Sequence, residues 1–228
     1  MPTATCDDAS MDPDDVEFYR WYGPWAPLTP PQVAELLAGL PAPWWIVGGW
    51  AIDAFTGRSR AHEDIDVAFF RADLPAVLER LAPELCVWSN RDGALRPLER
   101  AEDLPEGCRQ LWVRRDGASP WLMDLAMTPH DGDTWISTRD DRVRIPLAEA
   151  TFVVDGIRYL RPEIVLSFKA RPPRPDGDLN FMARSDKPKD QDDFDAALPI
   201  LDSKASAALR AAIELYRPGH PWLERLGS

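Results

Sequence analysis

Asp64 and Asp66 stand at i and i+2 in the run Asp64-Ile-Asp-Val-Ala-Phe-Phe70. Side chains in a strand alternate between faces, so the two carboxylates point the same way while Ile65 and Val67 enter a core. Neighbouring carboxylates repel each other, a conflict that a divalent cation removes, and hard oxygen ligands suit Mg2+. Upstream lies Trp45-Ile-Val-Gly-Gly-Trp-Ala-Ile-Asp53. Its Gly48-Gly49 pair, opening a helix, allows backbone N–H groups to approach a phosphate closely. A phosphate cradle beside paired metal carboxylates is the equipment of nucleotidyl transfer.

Phosphoryl chemistry on one or two metal ions calls for a third carboxylate, to complete the cage or to activate the attacking hydroxyl. Asp124 is the candidate, a single acid inside the apolar segment Trp121-Leu-Met-Asp-Leu-Ala-Met127. A buried charge needs a partner. The competing reading is an edge-strand acid facing water. Arg58 and Arg60 lie just ahead of the metal strand, and a guanidinium matches phosphate geometry; their alternative is an ordinary surface role. Lys169 ends the apolar stretch Ile164-Val-Leu-Ser-Phe-Lys169. It can reach a triphosphate or simply complement a helix dipole. Asp190 and Asp193, after Lys189, read first as first-turn capping acids. Glu63 reads as structural and His62 as a hydrogen-bonding loop residue. Asp53 is either an acceptor-facing acid or an exposed helix acid.

These residues need elements to hold them. Thr29 with Pro30 and Pro31 starts a helix running to about Leu40. A buried strand is predicted over Trp44–Val47, a helix over Gly49–Phe55 and the metal strand over Ile65–Phe70. Leu74, Val77, Leu78 and Leu81 have helical spacing. Short strands follow at Leu85–Ser89, Cys108–Arg114, Pro120–Met127, Thr134–Ser137 and Phe152–Val154. Asp-Gly turn signals at 92–93, 116–117, 131–132 and 155–156 punctuate this region. Helices are predicted at Pro162–Ala170, Asp190–Leu198 and Ala205–Tyr216, with an exposed loop over 172–188. The fold class is α+β: a mixed β-sheet flanked by helices, then a small C-terminal helical region. Residues 1–29 form an irregular acidic and aromatic segment, in which Trp21, Tyr22 and Trp25 pack on the domain or close over a ligand. Residues 30–160 form the main domain and 161–228 the helical region.

The chain has 228 residues, 45% of them hydrophobic, which suits a globular protein with one sizeable core. Its net charge of −12 disfavours an extended nucleic acid, which needs a basic track, and suits a cationic small molecule. The three cysteines, Cys6, Cys86 and Cys108, lack metal-ligand spacing and suggest reduced thiols in the cytoplasm. An acidic start argues against a signal peptide, and no apolar stretch is long enough to span a bilayer.

The Gly-Gly, short helix, Asp-x-Asp pattern resembles the DNA polymerase β-like nucleotidyltransferase superfamily. Gly48-Gly-Trp-Ala-Ile-Asp53, Gly57-Arg58 and His62-Glu-Asp-Ile-Asp66 resemble its aminoglycoside 2''-nucleotidyltransferase branch more closely. The resemblance is strong over Trp44–Phe70 and weaker to about Lys204. It implies that Asp64 and Asp66 hold one or two Mg2+ and that Asp124 on a neighbouring strand acts as base toward an acceptor hydroxyl. It places Gly48, Gly49 and Trp50 at the triphosphate of ATP or another NTP. Many superfamily members carry Ser where this chain has Trp50, so backbone N–H groups must do more here. The implied activity is transfer of a nucleoside monophosphate to a small hydroxylated acceptor such as an aminoglycoside. A protein or tRNA acceptor, helped by a basic patch around Arg171 and Arg174, and a non-catalytic nucleotide-binding protein are the alternatives.

Overall fold

The computed structural model describes residues 18, 20–170 and 188–227. Helix α1 (Pro30–Leu36) starts at Thr29, whose N–H donates to Gln32 Oε1 at 2.8 Å, with Pro at its first positions. Strand β1 (Trp44–Ile46) runs into α2 (Gly48–Thr56), which ends at left-handed Gly57. Then come β2 (Asp66–Phe70) and α3 (Leu74–Leu81), whose Leu74, Val77, Leu78 and Leu81 are all buried, as their spacing requires. Strands β3 (Cys86–Arg91), β4 (Ala94–Pro97), β5 (Gln110–Arg114) and β6 (Trp121–Thr128) follow.

A small sheet of β7 (His130–Asp131), β8 (Thr134–Ile136) and β9 (Arg144–Pro146) comes next. Helix α4 (Leu147–Ala150) leads to the hairpin of β10 (Thr151–Val154) and β11 (Ile157–Leu160). Helices α5 (Pro162–Lys169), α6 (Pro188–Ala197), α7 (Ser203–Tyr216) and α8 (Trp222–Arg225) close the described chain.

The main sheet has eight strands in the order β10-β11-β1-β2-β6-β5-β3-β4. It is mixed: β1 with β11 and β2 with β6 run parallel, and the other pairs run antiparallel. The expected α+β class is therefore observed. Strands β4, β7, β9 and β11 are additional to those expected from sequence; each is four residues or shorter, too short for periodicity to separate it from a turn. Fully buried Ile65, Phe69, Leu81, Leu111, Met123 and Leu125 lie at the centre of the core. Helices α5 and α6 pack against α2 and so bring the chain's C-terminal part to the Gly-Gly turn. The acidic start, the loop expected over 172–188 except Pro188, and the basic patch at Arg171 and Arg174 lie outside the described residues. Among the described residues, no helix is long and apolar enough to cross a membrane.

The aromatic segment after residue 17 does pack on the domain. Tyr22 and Trp25 meet Trp112 edge-on at ring separations of 5.3 and 5.2 Å. Main-chain bonds Trp121 N–H to Pro24 O (3.0 Å) and Ala26 N–H to Trp121 O (2.9 Å) tie the segment to β6. Trp21 remains largely exposed.

Candidate active site

Strands β2 and β6 pair in parallel with Asp66 opposite Asp124 and Ala68 opposite Ala126. Alternation sends these four side chains to one face and Val67 and Leu125 into the core on the other. Ile65 is fully buried, as expected, and its carbonyl accepts from Asp124 N–H at 2.9 Å. Asp64 sits two residues before β2 begins and is exposed. Among the described residues, no group of three or more His, Cys, Asp or Glu side chains converges to hold an ion. The expected three-carboxylate cage is thus only partly preset. The ladder fixes Asp66 and Asp124 side by side, whereas no ladder bond holds the Asp64 side chain.

Asp124 is not an edge-strand acid facing water. Its strand lies between β2 and β5, and it is only 7% exposed. Its Oδ2 accepts from Gln110 Nε2 and, at 3.1 Å, from Trp112 Nε1. Burial, and then the charge of Asp66, push its carboxyl well above the usual carboxylate range; the two donated hydrogen bonds work against that rise.

Both glycines at the start of α2 lie directly against side chains of the site. Gly48 has φ +68°, and a Cβ there would collide with Asp66 Oδ2. A Cβ on Gly49 would collide with the Arg60 guanidinium. The turn thus packs directly on a carboxylate of the pair and on a cation.

Trp50 stacks on His62 with ring centroids 4.0 Å apart, and its Nε1 donates to the Asp64 carbonyl at 3.0 Å. Asp53 is not an exposed helix acid, and it does not line the cavity between the sheet face and α5. It is 8% exposed, and its Oδ2 bonds His62 Nε2 at 2.8 Å and accepts Arg60 N–H at 3.1 Å. Asp53 therefore braces the loop that delivers Asp64. Burial lowers the His62 pKa against the opposing Asp53 hydrogen bond, favouring a neutral ring. The expectation of a hydrogen-bonding loop histidine is met.

Lys169 Nζ contacts Asp190 Oδ1 at 2.7 Å and Asp193 Oδ2 at 2.8 Å, while Arg60 Nε and Nη2 reach Asp193 at 3.2 Å each. Asp190 does lie in the first turn of α6, but Asp190 and Asp193 are 5% and 3% exposed and serve as buried partners of two cations. Burial works against the Lys169 charge, but the two carboxylates outweigh it and hold its pKa above the ordinary lysine value. Lys189 Nζ pairs with Glu63 at 2.9 Å. Arg58 is exposed, and its N–H contacts Thr56 Oγ1 at 3.4 Å.

Between the sheet face and α5 lies a cavity of about 400 Å3. Gly48, Gly49, Asp64, Asp66, Asp124, Arg60 and Lys169 line it, and Arg58 does not. Apolar residues line it as well, among them Ala68, Ala126, Trp135, Val165 and Phe168. Gln110 and Arg109 also line it and were missed from sequence. A polar residue at a strand start carries no signal until its neighbouring strand is known.

The sequence model of the aminoglycoside-2''-adenylyltransferase family matches residues 31–99, which include the Gly-Gly turn, Asp64 and Asp66 but not Asp124. Over that stretch the chain resembles the aminoglycoside-2''-adenylyltransferases. The 2''-aminoglycoside nucleotidyltransferases of Escherichia coli and Klebsiella pneumoniae are each 54% identical to it over 43 residues, 17% of this chain and 24% of theirs. The match thus spans about a quarter of the length of those relatives. Among solved structures, the antibiotic-resistance factor ANT(2'')-Ia has a TM-score of 0.47 and 19% identity, covering 90% of this chain and 94% of that one. The lincomycin-bound lincosamide antibiotic adenylyltransferase LnuA has 0.46 and 15%, covering 75% and 94%.

Proposed function

We propose that this protein transfers a nucleoside monophosphate, AMP foremost, from an NTP to a hydroxyl of a small cationic acceptor of the aminoglycoside type. The observation that carries the reading is the placement of Asp66 opposite Asp124, in a cavity that begins at the Gly48-Gly49 turn. The name of the family model, which matches across that turn, and the names of the two relatives support the nucleotide and the acceptor class.

The donor set fits a divalent cation. Asp66 and Asp124 are adjacent hard-oxygen donors whose mutual repulsion helps push the Asp124 carboxyl up. Asp66 and Asp124 would hold one or two Mg2+, with Asp64 joining them from its loop. A bound Mg2+ supplies charge stabilisation on the triphosphate and on the leaving pyrophosphate.

The chain's own groups do the rest. Backbone N–H groups at the start of α2 bind phosphate oxygens, for which the two glycines clear the way. Arg60 and Lys169, which line the cavity while tied to Asp190 and Asp193, face the triphosphate and set its position. Asp124 takes the proton of the acceptor hydroxyl. That oxygen bonds to the α-phosphorus in line with the departing pyrophosphate, and positioning and electrostatics provide most of the acceleration. Acidic groups at the cavity, Asp64 and Glu63 among them, attract a polycationic acceptor.

The test is incubation of the purified protein with Mg2+, each common NTP and a panel of aminoglycosides and lincosamides, with products read by mass spectrometry. One acceptor should gain the mass of one nucleoside monophosphate, and Asp66→Ala should abolish this while leaving the circular dichroism spectrum unchanged. Full transfer by Asp66→Ala would overturn the assignment.

A further inference from the structure

Asp124 has two carboxylate oxygens, and two side-chain donors act on the same one. Gln110 Nε2 and Trp112 Nε1, from alternate positions of β5, both donate to Oδ2. Trp112 lies directly opposite Asp124 in the ladder, and Gln110 lies opposite Ala126. A carboxylate oxygen offers two lone-pair directions, and here both are taken. Rotation of the carboxylate would break both bonds inside a low-dielectric site, where an unpaired polar group is costly. Oδ1 is left as the oxygen for work in the cavity.

Each donor is itself held. Gln110 Oε1 accepts from Asn90 Nδ2 at 3.3 Å, and Asn90 Oδ1 accepts Gly93 N–H at 3.1 Å in the β3–β4 turn. The Trp112 indole is 1% exposed and ringed edge-on by Tyr22, Trp25 and Trp121 at 5.2 to 5.3 Å. Such contacts fix a ring's orientation as well as its place. Trp121 is in turn anchored through its Nε1 to the Tyr22 carbonyl at 2.6 Å.

We infer that Gln110 and Trp112 are positioning residues that grip Oδ2 of Asp124 and thereby present Oδ1 to the cation and the acceptor hydroxyl. The aromatic segment Tyr22–Trp25 holds the second of these donors in place. The inference rests on the proposed nucleotidyl transfer for its kinetic arm only.

Two variants test it. Trp112→Phe keeps an aromatic ring in the cluster and removes the N–H, and Gln110→Met keeps the length of a half-buried side chain and removes its amide. Each is compared with the parent by thermal melting, by calorimetric titration with Mn2+ in the absence of nucleotide, and by steady-state kinetics. Loss of an outer partner of a metal-binding group costs on the order of 10- to 100-fold in affinity or activity. We therefore expect Mn2+ affinity and kcat to fall about tenfold or more in both variants, with KM for NTP within about twofold.

Mn2+ affinity and kcat unchanged in Gln110→Met would overturn the inference. So would a parent protein that binds no Mn2+, or a kcat loss that merely tracks a loss of folded protein. If Trp112→Phe fails to fold, Gln110→Met decides alone. If the parent modifies no acceptor, the functional reading fails, and the Mn2+ comparison still decides whether the two donors orient Asp124.

Discussion

Asp124 is held under opposing demands. Burial and the neighbouring Asp66 raise its pKa, while Gln110 and Trp112 stabilise its ionised form. A carboxyl whose folded pKa lies above its unfolded value of 3.8 binds its proton more tightly in the folded state. Its effect on stability is therefore favourable below the unfolded value and is lost as pH rises through the folded one. Asp124→Asn removes the charge, and we expect it to raise the melting temperature at neutral pH without divalent cation. The gain should shrink toward about pH 4, where the native carboxyl is protonated as well. Equal melting temperatures at neutral pH would show that the two donors fully offset burial. At this scale the sequence was informative about acids and glycines. Asp64 and Asp66 are legible because two-residue spacing in an apolar run is a local relation. Gln110 and Trp112 are not, because their meaning comes from a strand 12 to 14 residues away.

Elements meet at the Lys169 cluster. Helix α5 ends at Lys169, α6 supplies Asp190 and Asp193, and the loop after α2 supplies Arg60. The sequence leaves two readings of Lys169 open, reach to a triphosphate and complement to the helix dipole. The structure gives the second role to Arg139, whose Nη1 and Nη2 donate to the Ser167 and Phe168 carbonyls at 2.6 Å each. Lys169 instead turns toward two buried acids. Among the described residues, Lys169→Met would leave Asp190 without a cation and Asp193 with Arg60 alone. Breaking a buried pair in this way costs about 3–5 kcal/mol. We expect a lower urea midpoint by an amount equivalent to that range, and an unchanged midpoint would show the acids to be solvated. Both acids lie more than twenty residues beyond Lys169, and no periodicity joins them.

Across the whole molecule, a net charge of −12 and acids at the cavity make an attractive field for cationic ligands. Added salt screens such fields over distances of about 10 Å at 0.1 M. KM for a polycationic acceptor should therefore rise with ionic strength, while kcat changes little. A salt-independent KM would argue for an uncharged acceptor seated against the apolar lining at Trp135 and Phe168. The same scale separates what the chain alone determined from what folding added. The α+β class, the Gly-Gly turn into a helix, the inward Val67 beside Asp66 in β2 and the buried face of α3 all follow from sterics and side-chain alternation within a few residues. They are written locally, and the sequence by itself determined them. The tertiary structure decided three further things: the parallel register that sets Asp66 opposite Asp124, the double grip on Oδ2, and the buried partners of Lys169. Each depends on segments that meet only when long-range packing buries their apolar faces together, and such meetings leave no trace in local spacing.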